Sequence, residues 1–217
     1  MSVLITGTSS GIGKAAAEKF ISMGYEVIGI DRNESSINQD EYYRHIQWDI
    51  TDYDNIQSID EPIEILVNNA ATQLENDIET NLIATIKLTE KFGVQPNIKA
   101  IVNVASTSAH NGAEFPEYAA SKGGLLSYTK NVASRVCEFG ATCNSISPGG
   151  VITPLNDHII EDTELWNAVM NETMLHQWAT SEEIAEWIYF IAVVNQSMTG
   201  QDIIIDNGEL SKFNFVW

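Results

Sequence analysis

In the stretch EYAASKGGL a tyrosine, Tyr118, stands four residues before a lysine, Lys122, with only small side chains between them. On a helix, residues at that spacing share a face. A free tyrosine ionises near pH 10, roughly three units too high for a base at neutrality. A cation one turn away favours the phenolate, so the pairing predicts a phenol that exchanges protons closer to working pH. A second stretch, TGTSSGIG from Thr6 to Gly13, carries glycines at 7, 11 and 13. They permit a tight turn and close backbone approach. A helix starting there offers unpaired N–H groups and a positive dipole end to a pyrophosphate, which makes Gly7, Ser9, Ser10, Gly11, Ile12 and Gly13 candidate dinucleotide contacts.

Two carboxylates extend that reading. Asp31 lies roughly twenty residues past the glycines, where a carboxylate hydrogen-bonds adenosine ribose hydroxyls and repels a 2′-phosphate. The alternative is an ordinary turn aspartate, and the neighbouring Arg32 would tolerate NADP. Asp49, followed by Ile50, either meets an adenine amino group or caps the turn that follows. In NNA, Asn68 to Ala70, the asparagines lock neighbouring backbone, and small Ala70 and Ala71 leave room beside a ribose. Asn69 joins the candidate contacts on that ground, whereas Asn68 reads as structural.

These residues need elements to bring them together. SVLITG, YEVIGID, HIQWDI, IEILVNNA, KAIVNVAS, TCNSISPGG and QDIIID are short apolar runs that read as seven strands. Helical stretches are expected after Gly11, near 76–92, across 115–138 and over 180–194, with Gly24 closing the first. Strands alternating with helices specify an α/β fold: one domain with a parallel sheet covered on both faces. In such doubly wound sheets ligands bind beyond the carboxyl ends of the strands. Nearly every residue singled out above falls at such an end.

Composition narrows the partners. Thirty acidic residues against eleven basic ones give a formal charge of −19, which repels nucleic-acid backbones and anionic lipid. No apolar run is long enough to span a bilayer, and the N-terminus lacks a secretion signal, so the cytoplasm is the expected compartment. Cys137 and Cys143 are too few for a disulfide framework and read as buried thiols. The four histidines show no metal-ligand spacing, and no metal is expected.

Thr-Gly-x-x-x-Gly-x-Gly, Asn-Asn-Ala, a serine ending the fifth run, Tyr-x-x-x-Lys and Pro-Gly thus stand in this order on one chain. The ordered set, from about residue 2 to residue 208, resembles the short-chain dehydrogenase/reductase family in its single-domain form. The resemblance implies a Rossmann-like sheet, NAD or NADP as cofactor, and hydride transfer between an alcohol and a ketone. It makes Tyr118 the acid/base and Lys122 the residue that binds the nicotinamide ribose and lowers the tyrosine's pKa. Ser106 becomes the hydrogen-bond donor to the substrate oxygen, with Ser108 as stand-in, and Asn81 the holder of a relay water. Pro148, Gly149, Val151 and Thr153 complete the cofactor set near the nicotinamide.

Departures from the family's pattern are informative. Only ten residues separate Ala70 from Asn81, fewer than the family carries, so the substrate wall is expected to be open or completed by another subunit. Asn207 stands where relatives carry glycine. Segment 154–179 occupies the place of the family's lid, and its Leu155, Ile159, Trp166, Val169, Met170 and Met174 either line a pocket or pack the helices. It is acidic and holds no lysine or arginine, which disfavours phosphate-rich thioesters and acidic carrier proteins. The expected substrate is a small neutral alcohol or ketone used with NAD. The alternatives are an NADP-dependent 3-oxoacyl thioester reductase and a non-catalytic dinucleotide sensor. The family implies a homodimer or homotetramer pairing through 76–92 and 115–138, and the aromatic tail SKFNFVW is expected to dock on the body or a partner.

Overall fold

The computed structural model of the chain describes residues 1–38, 40–55, 58–113 and 115–213, so the last four residues of the aromatic tail lie outside the described residues. The apolar runs form parallel strands because most of them must be covered on both faces. β1 (Ser2–Thr6), β4 (Ile65–Asn68) and β5 (Ala100–Val104) are buried throughout, and β2 (Glu26–Asp31) and β6 (Thr142–Pro148) nearly so. β3 (Tyr43–Gln47) and β9 (Asp202–Ile205) form the less buried edges. The sheet order is β3-β2-β1-β4-β5-β6-β9. The chain winds outward from β1 to β3, then returns to β4 on the other side of β1. That reversal opens a crevice beyond the ends of β1 and β4.

One face carries α1 (Gly11–Ser22) and α7 (Ser181–Tyr189, continued by Phe190–Val194), with Ala16, Phe20, Ile184 and Ile188 in a shared core. Gly24 ends α1 in the left-handed region, φ +80°, and its N–H returns to Ile21 O at 2.9 Å. The other face carries α4 (Pro116–Val136) and a helix, α2, in three consecutive pieces: Ile78–Ala84, Thr85–Leu88 and Thr89–Gly93. Its first and last pieces are wider π turns. Leu88, Phe92, Val132 and Val136 fill that core. Pro116 opens α4, where a missing N–H costs nothing.

Buried amides tie this face to the sheet. Asn68 Nδ2 donates to Thr89 Oγ1 at 2.9 Å and Asn103 Oδ1 at 2.8 Å, and Asn103 Nδ2 donates to Thr129 Oγ1 at 2.9 Å. β4 and β5 are thereby fixed to α2 and α4, consistent with a structural Asn68.

Three local expectations differ from the structure. β3 starts at Tyr43 and ends at Gln47, because β2 ends at Asp31, whose carbonyl takes the final bond from Trp48 N at 2.8 Å. A two-stranded ribbon pairs β7 (Val151–Ile152) with β8 (Ala179–Thr180) at the two ends of segment 154–179. Cys143 is buried but Cys137 is exposed. The remaining elements are α3 (Ser108–Asn111) and, within segment 154–179, α5 (Asp157–Ile160) and α6 (Thr163–Glu172). Among the described residues no helix is long and apolar enough to cross a membrane, and no group of three or more His, Cys, Asp or Glu could hold a metal.

Candidate active site

The ends of β1, β2, β4, β5 and β6 enclose one cavity of about 550 Å³. Its wall begins at the glycine turn. Gly7 adopts φ +78°, and a Cβ there would lie 2.7 Å from Asn69 Nδ2. At Gly13 a Cβ would lie 2.0 Å from Gly7 O. Asn69 stitches the turn, donating to Thr6 O at 3.0 Å and Gly7 O at 3.3 Å, while Asn69 N and Ala70 N donate to Thr6 Oγ1 at 3.0 Å. This packing aims the start of α1 at the cavity. Ser10 at its N-cap makes no side-chain capping bond, and the first turn carries no acid. The helix end therefore keeps its N–H groups and positive dipole for an outside anion. With the glycines leaving no bulk in front of it, this cradle fits a dinucleotide's pyrophosphate.

Asp31 Oδ2 accepts from Ser9 N at 3.0 Å and Oδ1 from Asn33 N at 2.9 Å. The carboxylate thus braces the glycine turn and its own turn, and both oxygens retain lone pairs. Arg32 lines the same wall. Asp49 accepts from Thr51 N at 2.9 Å and Thr51 Oγ1 at 2.7 Å. The amide bond first, then the hydroxyl and the Arg32 charge, hold Asp49 below the usual carboxylate range against partial burial. Ile50, Ala70 and Ala71 line the cavity beside it.

At the β5–β6 side stand Ser106, Tyr118 and Lys122, all lining the cavity. Ser106 Oγ accepts from Ser108 N at 3.2 Å, which places Ser108 in support of Ser106 and outside the cavity lining. Lys122 is 2% exposed, and its Nζ donates to Val104 O at 2.8 Å and lies 5.6 Å from the Tyr118 ring centroid. Burial pulls the ammonium down to about 8, opposed by the charge of Asp77. Gly7, Ser10, Gly11, Ile12, Asn69, Pro148, Gly149, Val151 and Thr153 also face the cavity, whereas Ser9, Gly13 and Asn81 do not.

Asn81 stands on the helix that its motif implies, with its side chain engaged inside the protein. Its Oδ1 accepts from Thr72 N at 2.8 Å, and its Nδ2 donates to Thr72 O at 2.9 Å and Ser121 Oγ at 3.1 Å. The side-chain amide is committed to the short loop after β4. That loop supplies cavity residues that motif reading misses: Thr72, Glu75, Asn76 and, at the start of α2, Thr80. Of the six apolar residues named above in segment 154–179 only Leu155 reaches the cavity, joined by its neighbours Pro154 and Asn156. Trp166 instead packs edge-on against Trp178, centroids 5.3 Å apart. Asn33, Trp48 and Thr51 are also missed, although each adjoins a candidate and a strand-end rule widened by two residues finds them.

Lys122 and Cys143 make opposite contributions to stability at alkaline pH. The folded state gives up the Lys122 proton near pH 8, while the unfolded state holds it to about 10.5, so stability rises with pH between these values. Burial pushes the Cys143 thiol up to about 12, so from roughly pH 9, where an unfolded thiol ionises, stability falls with pH. Each slope approaches about 1.4 kcal/mol per pH unit. Thermal denaturation without cofactor is therefore expected to show a Tm that rises from pH 8 to 9 and then levels. A Lys122→Met variant whose Tm still rises over that interval would contradict this assignment.

Comparison with known proteins gives consistent results. The sequence model of a family described as enoyl-(acyl carrier protein) reductase matches residues 7–209. The chain is 31% identical to the short chain dehydrogenase adrF of Penicillium roqueforti, across 94% of this chain and 95% of that protein. It is 28% identical to the 3-oxoacyl-[acyl-carrier-protein] reductase FabG of Buchnera aphidicola, over 94% and 95% of the two chains. Among solved structures it is similar to 4-hydroxyisoleucine dehydrogenase complexed with NADH, with TM-score 0.90, 26% identity and coverage of 98% and 99%. ElxO with NADP bound aligns at TM-score 0.84 and 25% identity, covering 97% of this chain and 99% of that one.

Proposed function

The chain belongs to the short-chain dehydrogenase/reductase family, and from that premise we propose an NAD(H)-dependent enzyme that interconverts a small secondary alcohol and its ketone, with Tyr118 as acid/base. The observation that carries this reading is the convergence of Ser106, Tyr118 and Lys122 on one side of a cavity whose other side ends at Asp31. β1 and β4 lie between the strands that bear the two ends, a spacing suited to an extended dinucleotide.

When bound, the nicotinamide supplies the two-electron chemistry. The chain's own residues bind, orient and move the proton. Tyr118 takes the hydroxyl proton of an alcohol and returns it to the oxygen of a ketone. Lys122, charged and beneath the ring, makes the ionised phenol accessible, and its N–H groups not used by Val104 are available to a sugar hydroxyl. Ser106 already accepts from Ser108, so its own proton is directed to the substrate oxygen, where it steadies developing negative charge.

NAD is favoured over NADP because a 2′-phosphate would meet the Asp31 carboxylate, which two backbone N–H groups hold in place. One observation supports the NADP-dependent 3-oxoacyl reductase instead: Arg32 lines the cavity beside Asp31. The acidic lid, without lysine or arginine, weighs against a phosphate-bearing thioester. Paired titrations of NADH and NADPH, read by tryptophan fluorescence and by thermal shift, separate the readings. NADH is expected to bind at least tenfold more tightly. Tighter NADPH binding would pass the decision to Arg32, and binding of neither would remove the enzyme reading.

A further inference from the structure

Two opposite charges are buried in the wall of this cleft without touching. Lys122 and Asp77 are each 2% exposed. The ammonium donates to Val104 O, and the carboxylate accepts from Thr72 Oγ1 at 3.0 Å, Leu74 N at 3.0 Å and Glu75 N at 3.2 Å. Among the described residues no direct ion pair joins them. We propose that Asp77 is a positioning residue for the Tyr118–Lys122 pair: a counter-charge held at a distance, which keeps Lys122 protonated while leaving its ammonium for the cleft. The proposal rests on the reading of Tyr118 and Lys122 given above.

A lysine buried in apolar surroundings tends to release its proton, and a neutral amine can no longer favour the phenolate. A negative charge nearby opposes that release, and the field of Asp77 acts on Lys122 in this sense. A carboxylate in contact would hold the charge more firmly but would occupy the ammonium. Distance reconciles the two demands, provided the carboxylate cannot swing inward.

The short loop after β4 provides that restraint. Leu74 and Asn76 adopt left-handed backbone, φ 73° and 53°, which folds Leu74 N and Glu75 N onto Asp77. Thr72 Oγ1 bonds both Asp77 and Glu75 O, the latter at 2.6 Å. Asn81 grips the Thr72 backbone and donates to Ser121 Oγ, which donates to Tyr118 O at 2.7 Å. A continuous polar path therefore runs from Asp77 to the turn of α4 that carries both Tyr118 and Lys122. The other charged groups of the cavity are Asp31, Arg32, Asp49 and Glu75. All of them, with Glu79 on α2, are exposed or partly exposed, so water screens them. Asp77 is the buried one among these carboxylates, and its field reaches Lys122 least screened.

The test is the pH dependence of NADH affinity, measured by fluorescence titration from pH 6 to 10, which needs no turnover. In the parent protein affinity is expected to weaken as Lys122 loses its proton, with a midpoint near pH 8. Removing a negative charge makes the ammonium easier to deprotonate, so Asp77→Asn should move the midpoint down by about one pH unit or more. Thr72→Val, which loosens the restraint but keeps the charge, should leave the midpoint in place or raise it, and a fall there would overturn the proposal. An unchanged midpoint in Asp77→Asn would reduce Asp77 to a loop anchor and overturn the proposal. Should that variant fail to fold, Asp77→Ser keeps an acceptor for the loop N–H groups without the charge and must lower the midpoint in the same direction, with no shift overturning the proposal. A parent midpoint that survives in Lys122→Gln would show that another group titrates, and would overturn the site reading together with the proposal.

Discussion

Turnover by a Tyr118→Phe variant is expected to fall about 10²–10⁴-fold, the contribution of a well-placed general acid–base, while dinucleotide affinity stays nearly unchanged. The substitution removes one oxygen and keeps the ring that lies 5.6 Å from Lys122 Nζ. The wall of the cavity therefore survives, and only the carrier of the proton is lost. Steady-state rates with secondary alcohols and NAD, together with NADH titration, measure both quantities. A variant that kept a tenth of the parent rate would show that another group carries the proton, and Ser106 would be the next residue to test. Loss of turnover and affinity together would point to collapse of the wall. A non-catalytic sensor has no turnover to lose, so the same pair of measurements excludes or supports that alternative.

The second large effect is expected at Gly13. An added Cβ would lie 2.0 Å from Gly7 O and 2.4 Å from Asn69 Nδ2. Neither atom is free to retreat, because Asn69 is bonded to Thr6 O and Gly7 O. Gly13→Ala must therefore push the first turn of α1 away from the turn that follows β1. Overpacking of this kind costs about 1–3 kcal/mol, or a Tm lowered by about 2–4 °C for each kcal/mol in a chain of this size. The N–H groups aimed at the pyrophosphate move with the helix, and NADH affinity should drop at least tenfold. Gly24→Ala is the control. A Cβ there meets nothing within 4 Å, so that variant should lose only roughly 1 kcal/mol to its left-handed backbone and bind NADH as the parent does. Equal loss of affinity in both variants would show that general stability, not the cradle, controls binding.

Much of this site is legible in the sequence because its residues obey short-range rules. Tyr118 and Lys122 are four apart on one helix, and Asp31, Asp49, Asn69 and Ser106 end apolar runs that form strands or adjoin them. Such positions converge whenever the sheet is parallel and doubly wound, and the seven-strand sheet has that form. Residues that depend on loop conformation are not legible. Asp77, Thr72 and Glu75 come together because Leu74 and Asn76 adopt left-handed backbone, which asparagine tolerates but no local signal marks at the leucine. The motif likewise identifies Asn81 without revealing that its amide is committed to Thr72. The β7–β8 ribbon, two residues on each side, is too short for any period to show. Lid residues such as Trp166 read equally as pocket or packing, and only the position of Trp178 separates the two.

Segment 154–179 has a consequence for how this protein can change over generations. α5 and α6 contain no buried residue, whereas α1 and α4 each bury several. Substitutions on exposed surface usually shift stability by about half a kcal/mol or less. These two helices can therefore vary while the cradle and the tyrosine–lysine pair stay fixed by the core. A library confined to residues 157–172 would therefore keep the fold with few casualties, and a change in selectivity found there would trace to a surface that the core does not hold.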